Sequence, residues 1–213
     1  MSFQSYILNA VRDDRAYAEM LSAAQERLKG RSAADVAPRT GMAWNREADL
    51  LSCASLGREV TVNAADWSIR GTLGNWHSLT VLHYLDMADG SLLWDELITF
   101  GQQKDGLARG GDFDRRAEQT LSRALGRLES AEAAERCRRL GGVMRKSNAD
   151  LCVRFDYLPR YPITLKLWFA DEDLEGSARL FLDRSCDRYL SVEDSVTVGT
   201  ILMEELVRPQ IRR

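Results

Sequence analysis

Carboxylates and histidines are the side chains here whose types and spacing could do chemistry. Asp171, Glu172 and Asp173 stand together at the end of an alternating run, and Asp183 and Asp187 follow shortly after the next one. Several carboxylate oxygens in one place suit a hard cation such as Mg²⁺ or Ca²⁺. The spacing, however, lacks the alternating acids, central glycine and closing glutamate of an EF-hand loop. If the flanking runs pair as a hairpin, Asp171 or Asp173 and Asp183 fall at its opposite ends, which weakens a carboxylate-pair mechanism. The plainer expectation is a solvated turn with capping acids. The two histidines, His77 and His83, are six apart on a helical stripe. At 3.6 residues per turn they project about 240° apart and cannot chelate one ion together. His83 could donate to a buried carboxylate or act as a base near neutral pH; a hydrogen-bonded structural histidine is the expectation.

Other motifs are weaker. No GxSxG elbow, HExxH, Walker loop or GxGxxG occurs, and Gly110-Gly111-Asp112 is too short for a phosphate cradle. The four cysteines, Cys53, Cys137, Cys152 and Cys186, have no CxxC spacing and no nearby histidine, so buried free thiols are expected rather than a zinc or iron-sulfur module. Cys186 stands near a helix start that would favour a thiolate, without a base beside it. Arg136, Arg138, Arg139, Arg145 and Lys146 flank a double glycine. They could meet phosphate or an acidic partner, but read first as a solvated helix end. Trp168, on the off-core side of its strand, and Tyr161, between prolines, could line a groove. The candidate ligand-binding set is Arg160, Trp168, Asp171, Asp173, Asp183 and His83. No catalytic residue, metal ligand or cofactor is assigned.

These residues need elements to hold them. A three-to-four spacing from Tyr6 to Lys29, stopped by Gly30, predicts an amphipathic first helix, and residues 31–48, with Pro38 and Gly41, read as irregular connection. Leu50 to Ala54, Arg58 to Asn63 and Trp67 to Arg70 predict a small antiparallel meander. A helix follows from Asn75 to Ala88, capped by Asn75 or Gly74. Asp95 to Phe100 could be a strand or one helical turn, and Gly101 to Gly111 reads as a loop. Asp112 is placed to cap a helix through Leu128, and Ser130 to Leu140 predicts another, ended by Gly141-Gly142. The period then changes to two. Leu151 to Tyr157 and Ile163 to Phe169 predict strands, Arg179 to Leu182 a third, and Ser191 with Asp194 a capping box that opens a last helix closed by Pro209. The resulting class is α+β, a mostly antiparallel sheet from the meander and the later strands, covered by helices in a single domain over 1–213.

The stretch LPRYPITLKLWFADEDLEGSARLFLDRSCDRYLSVED, from Leu158 to Asp194, resembles the signature of a bacterial family known as domain of unknown function 3786. TVLHYL at Thr80 to Leu85, WDELITFGQ at Trp94 to Gln102 and GDFDRRAEQTL at Gly111 to Leu121 resemble its middle region. The resemblance implies a compact α+β domain in a prokaryotic cytoplasm, with no assigned reaction. Some members add a cysteine-rich segment resembling an iron-sulfur module; this chain has no such cluster, so electron transfer is not carried over.

Composition bounds the rest. With 45% hydrophobic and 29% charged residues the chain can bury a substantial core, and a net charge of −3 offers no global field for nucleic acid. Residues 1–10 lack a leader of signal type and no window is apolar enough to span a membrane, so a cytoplasmic protein is expected. The leading expectation is a noncatalytic binding or accessory protein. The alternatives are a metal- or small-ligand-dependent enzyme using the acidic cluster, and an assembly module with a protein partner or a second copy of itself.

Overall fold

Six helices and nine strands in two antiparallel sheets make up residues 14–208, the part of the chain that the computed structural model describes. The helices are α1 (Asp14–Leu28), α2 (Ala33–Thr40), α3 (Asn75–Met87), α4 (Arg109–Leu125), α5 (Ser130–Arg139) and α6 (Val192–Val207). Strands β1 (Ala43–Asn45), β2 (Leu50–Ser55), β3 (Arg58–Asn63) and β4 (Ile69–Arg70) form the first sheet in chain order. Strands β5 (Leu97–Ile98), β6 (Val143–Met144), β7 (Leu151–Leu158), β8 (Tyr161–Trp168) and β9 (Ser177–Asp183) form the second, in the order β5-β9-β8-β7-β6. The expected α+β class holds, but the strands divide between two sheets instead of joining one. The expected start of the first helix at Tyr6, and Pro209 as the stop of the last, lie outside the described residues.

Residues 31–48 depart from the expected irregular connection. Ser32 caps α2 by accepting the Asp35 N–H at 3.2 Å, and Gly41 ends it in the left-handed conformation with φ of 70°. These caps flank a helix of eight residues, too short for a periodic signal. Val36 and Ala37 supply a buried face, and β1 follows at once. Helix α4 also begins before its expected cap. Asp112 lies in the first turn, while Gly110 and Gly111 are helical. A Cβ on Gly110 would sit 2.1 Å from the Phe100 carbonyl oxygen, so the missing side chain lets α4 press onto the short 3₁₀ turn Phe100–Gln102. Asp114 then caps that turn, accepting the N–H groups of Phe100 at 3.1 Å and Gly101 at 2.9 Å.

Alternation gives the second sheet two different faces. Val153, Phe155, Ile163, Leu165, Leu167 and Leu182 are fully buried on one face. Helix α4, with Phe113, Ala117, Leu121 and Leu125 buried, lies against β9 and α6. The hydrophobic cluster so formed also takes in Leu51, Val60 and Val62 of the first sheet. The other face carries Arg154, Lys166, Phe181 and Arg179, all at least partly in solvent.

The α4–α6 contact supplies a direct test of the packing. A Cβ on Gly199 would come within 2.5 Å of the Phe113 ring and 2.9 Å of the Phe100 ring. Alanine at a helical glycine normally gains about 1 kcal/mol of helix propensity, whereas overpacking costs about 1–3 kcal/mol. Gly199→Ala is therefore expected to lower the unfolding free energy by about 1 kcal/mol net, read by urea denaturation. A variant more stable than the parent would show that α6 does not press on those rings.

Candidate functional site

Strand register assembles a site that no contiguous motif announces. On the solvent-facing side of the second sheet, Thr164 of β8 lies between Arg154 of β7 and Phe181 of β9, and Lys166 lies between Cys152 and Arg179. Arg154 pairs across to Val143 of β6, and the Arg145 N–H donates to the Cys152 carbonyl at 2.8 Å, which brings Arg145 beside Lys166's neighbour. At the other end Leu97 of β5 pairs with Asp183, and Pro162 pairs with Asp156. Of these residues Leu97, Arg145, Cys152, Arg154, Pro162, Thr164, Lys166 and Asp183, with Asp95, Lys146 and Ser147, surround a groove of about 400 Å³.

The groove's electrostatics are uneven. The Arg154 Nε donates to Asp156 at 2.9 Å, and Lys166 donates to Asn148 Oδ1 at 3.4 Å while lying 5.6 Å over the Phe181 ring. The Arg145 and Lys146 side chains have no hydrogen-bond or ion-pair partner among the described residues and are exposed. Cations that no carboxylate neutralises keep their full attraction for an incoming anion. Asp183, the buried acid of the groove, is committed already. It accepts from Trp94 N–H at 3.0 Å, Asp95 N–H at 2.8 Å, Ser185 N–H at 3.0 Å and the Ser185 hydroxyl at 2.7 Å. Burial pushes its pKa up, but these donors reverse that and hold the carboxyl below its ordinary range.

The residues singled out in the sequence are dispersed. Asp171 and Asp173 occupy the β8–β9 turn, where Asp171 Oδ1 accepts from the Asp173 and Leu174 N–H groups at 2.9 and 2.7 Å. Asp183 stands at the far end of β9. His83 bonds through Nδ1 to Asp194 Oδ1 at 2.7 Å, joining α3 to α6. No three His, Cys, Asp or Glu side chains among the described residues cluster as a metal would require. Asp171 and Asp173 thus stand at the opposite end of β9 from Asp183, and of the three only Asp183 lines the groove.

Arg160 points away from the groove and into the protein. Its guanidinium donates to the carbonyls of Gly90 at 2.6 Å, Ser91 at 3.1 Å and Pro38 at 3.0 Å. Trp168 is half-buried with its indole N–H on the Asn148 carbonyl at 3.3 Å, beyond the groove walls. Tyr161, expected beside it, is instead buried with its hydroxyl donating to Ser195 Oγ at 2.6 Å.

The basic cluster divides in two. Arg136 pairs with Glu132 and Arg138 with Glu135 at the end of α5, as a solvated helix end would, whereas Arg145 and Lys146 belong to the groove. Arg154, Thr164, Lys166 and Asp95 went unnoticed in the sequence. For Arg154, Thr164 and Lys166 the signal was the polar half of the alternation at residues 151–168, readable only once the two strands were set side by side; Asp95, in the loop before β5, carried none. Cys186 is buried on a short 3₁₀ turn, and burial, with the Asp187 charge second, pushes its thiol up to about 12. That removes the thiolate a nucleophile would need. Burial also pushes Cys53 and Cys137 up to about 12.

The chain belongs to the family described as Domain of unknown function (DUF3786), which it matches over residues 32–205. No curated protein and no solved structure matches it.

Proposed function

Membership in that family assigns no reaction, and on the groove's chemistry we propose that the protein is a noncatalytic binding protein for a small anionic ligand, carboxylate or phosphate. The ligand lies on the solvent-facing side of the second sheet, with its negative group among Arg145, Lys146, Arg154 and Lys166. The observation that carries this reading is the pair of unpartnered cations, Arg145 and Lys146, at a groove that Arg154 and Lys166 also line. Its volume of about 400 Å³ is of small-ligand size.

Binding rather than turnover is supported by the state of the groove's acid and base groups. Neither histidine lines it, and Asp183 spends both carboxylate oxygens on existing donors. A long polyanion fits less well, because Asp95 and Asp156 interrupt the positive strip. A reducing bacterial cytoplasm is the proposed location, and four cysteines with no disulfide among them support it. No helix among the described residues is long and apolar enough to cross a membrane. The assembly alternative keeps one supporting observation, the exposed side chains of Leu92, Trp94 and Leu97 in a single stretch.

Calorimetric titration with inorganic phosphate and with a short alkyl phosphate tests the proposal. Binding is expected to weaken at least about tenfold in an Arg145→Ala/Lys166→Ala variant, since each charge-assisted hydrogen bond contributes about 1 kcal/mol or more. It should also weaken steeply with salt, because these charges are exposed. An affinity indifferent to both changes would refute the groove as the site.

A further inference from the structure

Asp95 gives the groove a second, opposite pole. Its backbone is held in place at φ of 56°, with its N–H on Asp183 and the neighbouring Trp94 N–H on the same carboxylate. Its own carboxylate is exposed, and it has no hydrogen-bond or ion-pair partner among the described residues. Yet it lines the same cavity as Arg145 and Lys146, which are equally unpartnered. Opposite charges that share a cavity normally close on one another. Here the sheet keeps them apart. Pro162, near the acidic end, and Lys166, in the basic row, are four residues apart on β8, a span of roughly 13 Å along an extended strand. Leu97 and Pro162 add apolar surface beside the acidic end, and between the poles Thr164 lies opposite Arg154, whose charge is already engaged by Asp156.

We infer that the groove takes a dipolar ligand, with a phosphate or carboxylate at the Arg145–Lys166 end and an ammonium or other strong hydrogen-bond donor at Asp95, joined by a short apolar chain. This rests on the binding role proposed above and names the chemistry of its ligand. Charge complementarity at both ends selects orientation as well as identity, because a ligand reversed in the groove meets like charge at each pole. Leu97 and Pro162 offer the spacer an apolar surface next to the acidic pole.

The test uses the full chain, titrated calorimetrically with pentyl phosphate and with its ω-amino derivative. The amino compound is expected to bind tighter by up to about fivefold, the ratio given by roughly 1 kcal/mol at an exposed ion pair. That preference should vanish in Asp95→Asn, while pentyl phosphate binds no more weakly than to the parent. Asparagine tolerates positive φ, so this variant keeps the backbone. Lys166→Ala should weaken both compounds alike. If both bind the parent equally, or if the preference survives in Asp95→Asn, the dipolar ligand is overturned and the anion site stands. If neither compound binds, the anion site itself fails and the dipolar ligand falls with it.

Discussion

Arg160→Ala is expected to lower the unfolding free energy by about 3 kcal/mol and leave ligand affinity nearly unchanged. Arg160 sits in the β7–β8 turn, and its guanidinium gathers carbonyls from two distant segments, Pro38 in α2 and Gly90 and Ser91 after α3. Its backbone N–H adds a bond to the Tyr84 hydroxyl at 3.1 Å, which in turn donates to the Thr40 carbonyl at 2.6 Å. Hydrogen bonds from a charged donor contribute about 1.5–3 kcal/mol each; water can replace part of this at the more exposed Nη2 end, which sets the total near 3 kcal/mol. Arg160→Lys retains the charge but not the fork, and should recover no more than about half. Urea denaturation beside a phosphate titration separates the possibilities. A stable Arg160→Ala protein that had lost its ligand would return Arg160 to the binding set where its sequence position first put it.

Stability should also fall by about 3 kcal/mol between pH 6.5 and pH 4 on account of His77 alone. This histidine is buried between the two sheets. The Leu73 N–H donates to its Nδ1 at 3.1 Å, so the ring proton sits on Nε2 and donates to Ser55 Oγ at 2.8 Å. Ser55 passes the chain on to the Tyr157 carbonyl, and the Tyr157 hydroxyl bonds Thr80 at 2.7 Å. Burial first, and the Arg58 charge second, hold the His77 pKa down to about 4, against 6.5 for a free imidazole. Between these two values the unfolded chain binds a proton that the folded chain refuses. Acid therefore favours unfolding over that window, and the contribution levels off below it. A shift of this size corresponds to about 3 kcal/mol. Carboxylates add their own slope near pH 4, so the measurement is the difference in stability between the parent and His77→Gln at several pH values. Parallel curves would mean that the ring is protonated, or reached by water, in the folded state.

Much of the architecture was legible because side-chain periodicity is a local property. Leu151, Val153, Phe155, Leu165 and Leu167 lie buried on strands, as their alternation requires, and Ser191 caps α6 through the Asp194 N–H at 3.1 Å. Helix α2 was not legible, since one cap, one glycine and eight residues make too short a window for a period to register. The split into two sheets was not legible either. A strand's sequence records which of its faces is apolar, but not which neighbour supplies the missing backbone hydrogen bonds.

The functional candidates follow the same division. From residue order alone came the acidic turn around Asp171, the unpaired thiols, and the impossibility of a shared ion between His77 and His83. Only the folded chain decided that Arg160 braces two loops, that Asp183 is saturated by four donors, and that Arg145, Arg154 and Lys166 share one face with Asp95. The physical reason is register. Pairing β7 with β8 brings side chains a dozen residues apart onto adjacent rows, and the offset that selects those rows is set by core packing on the opposite side of the sheet.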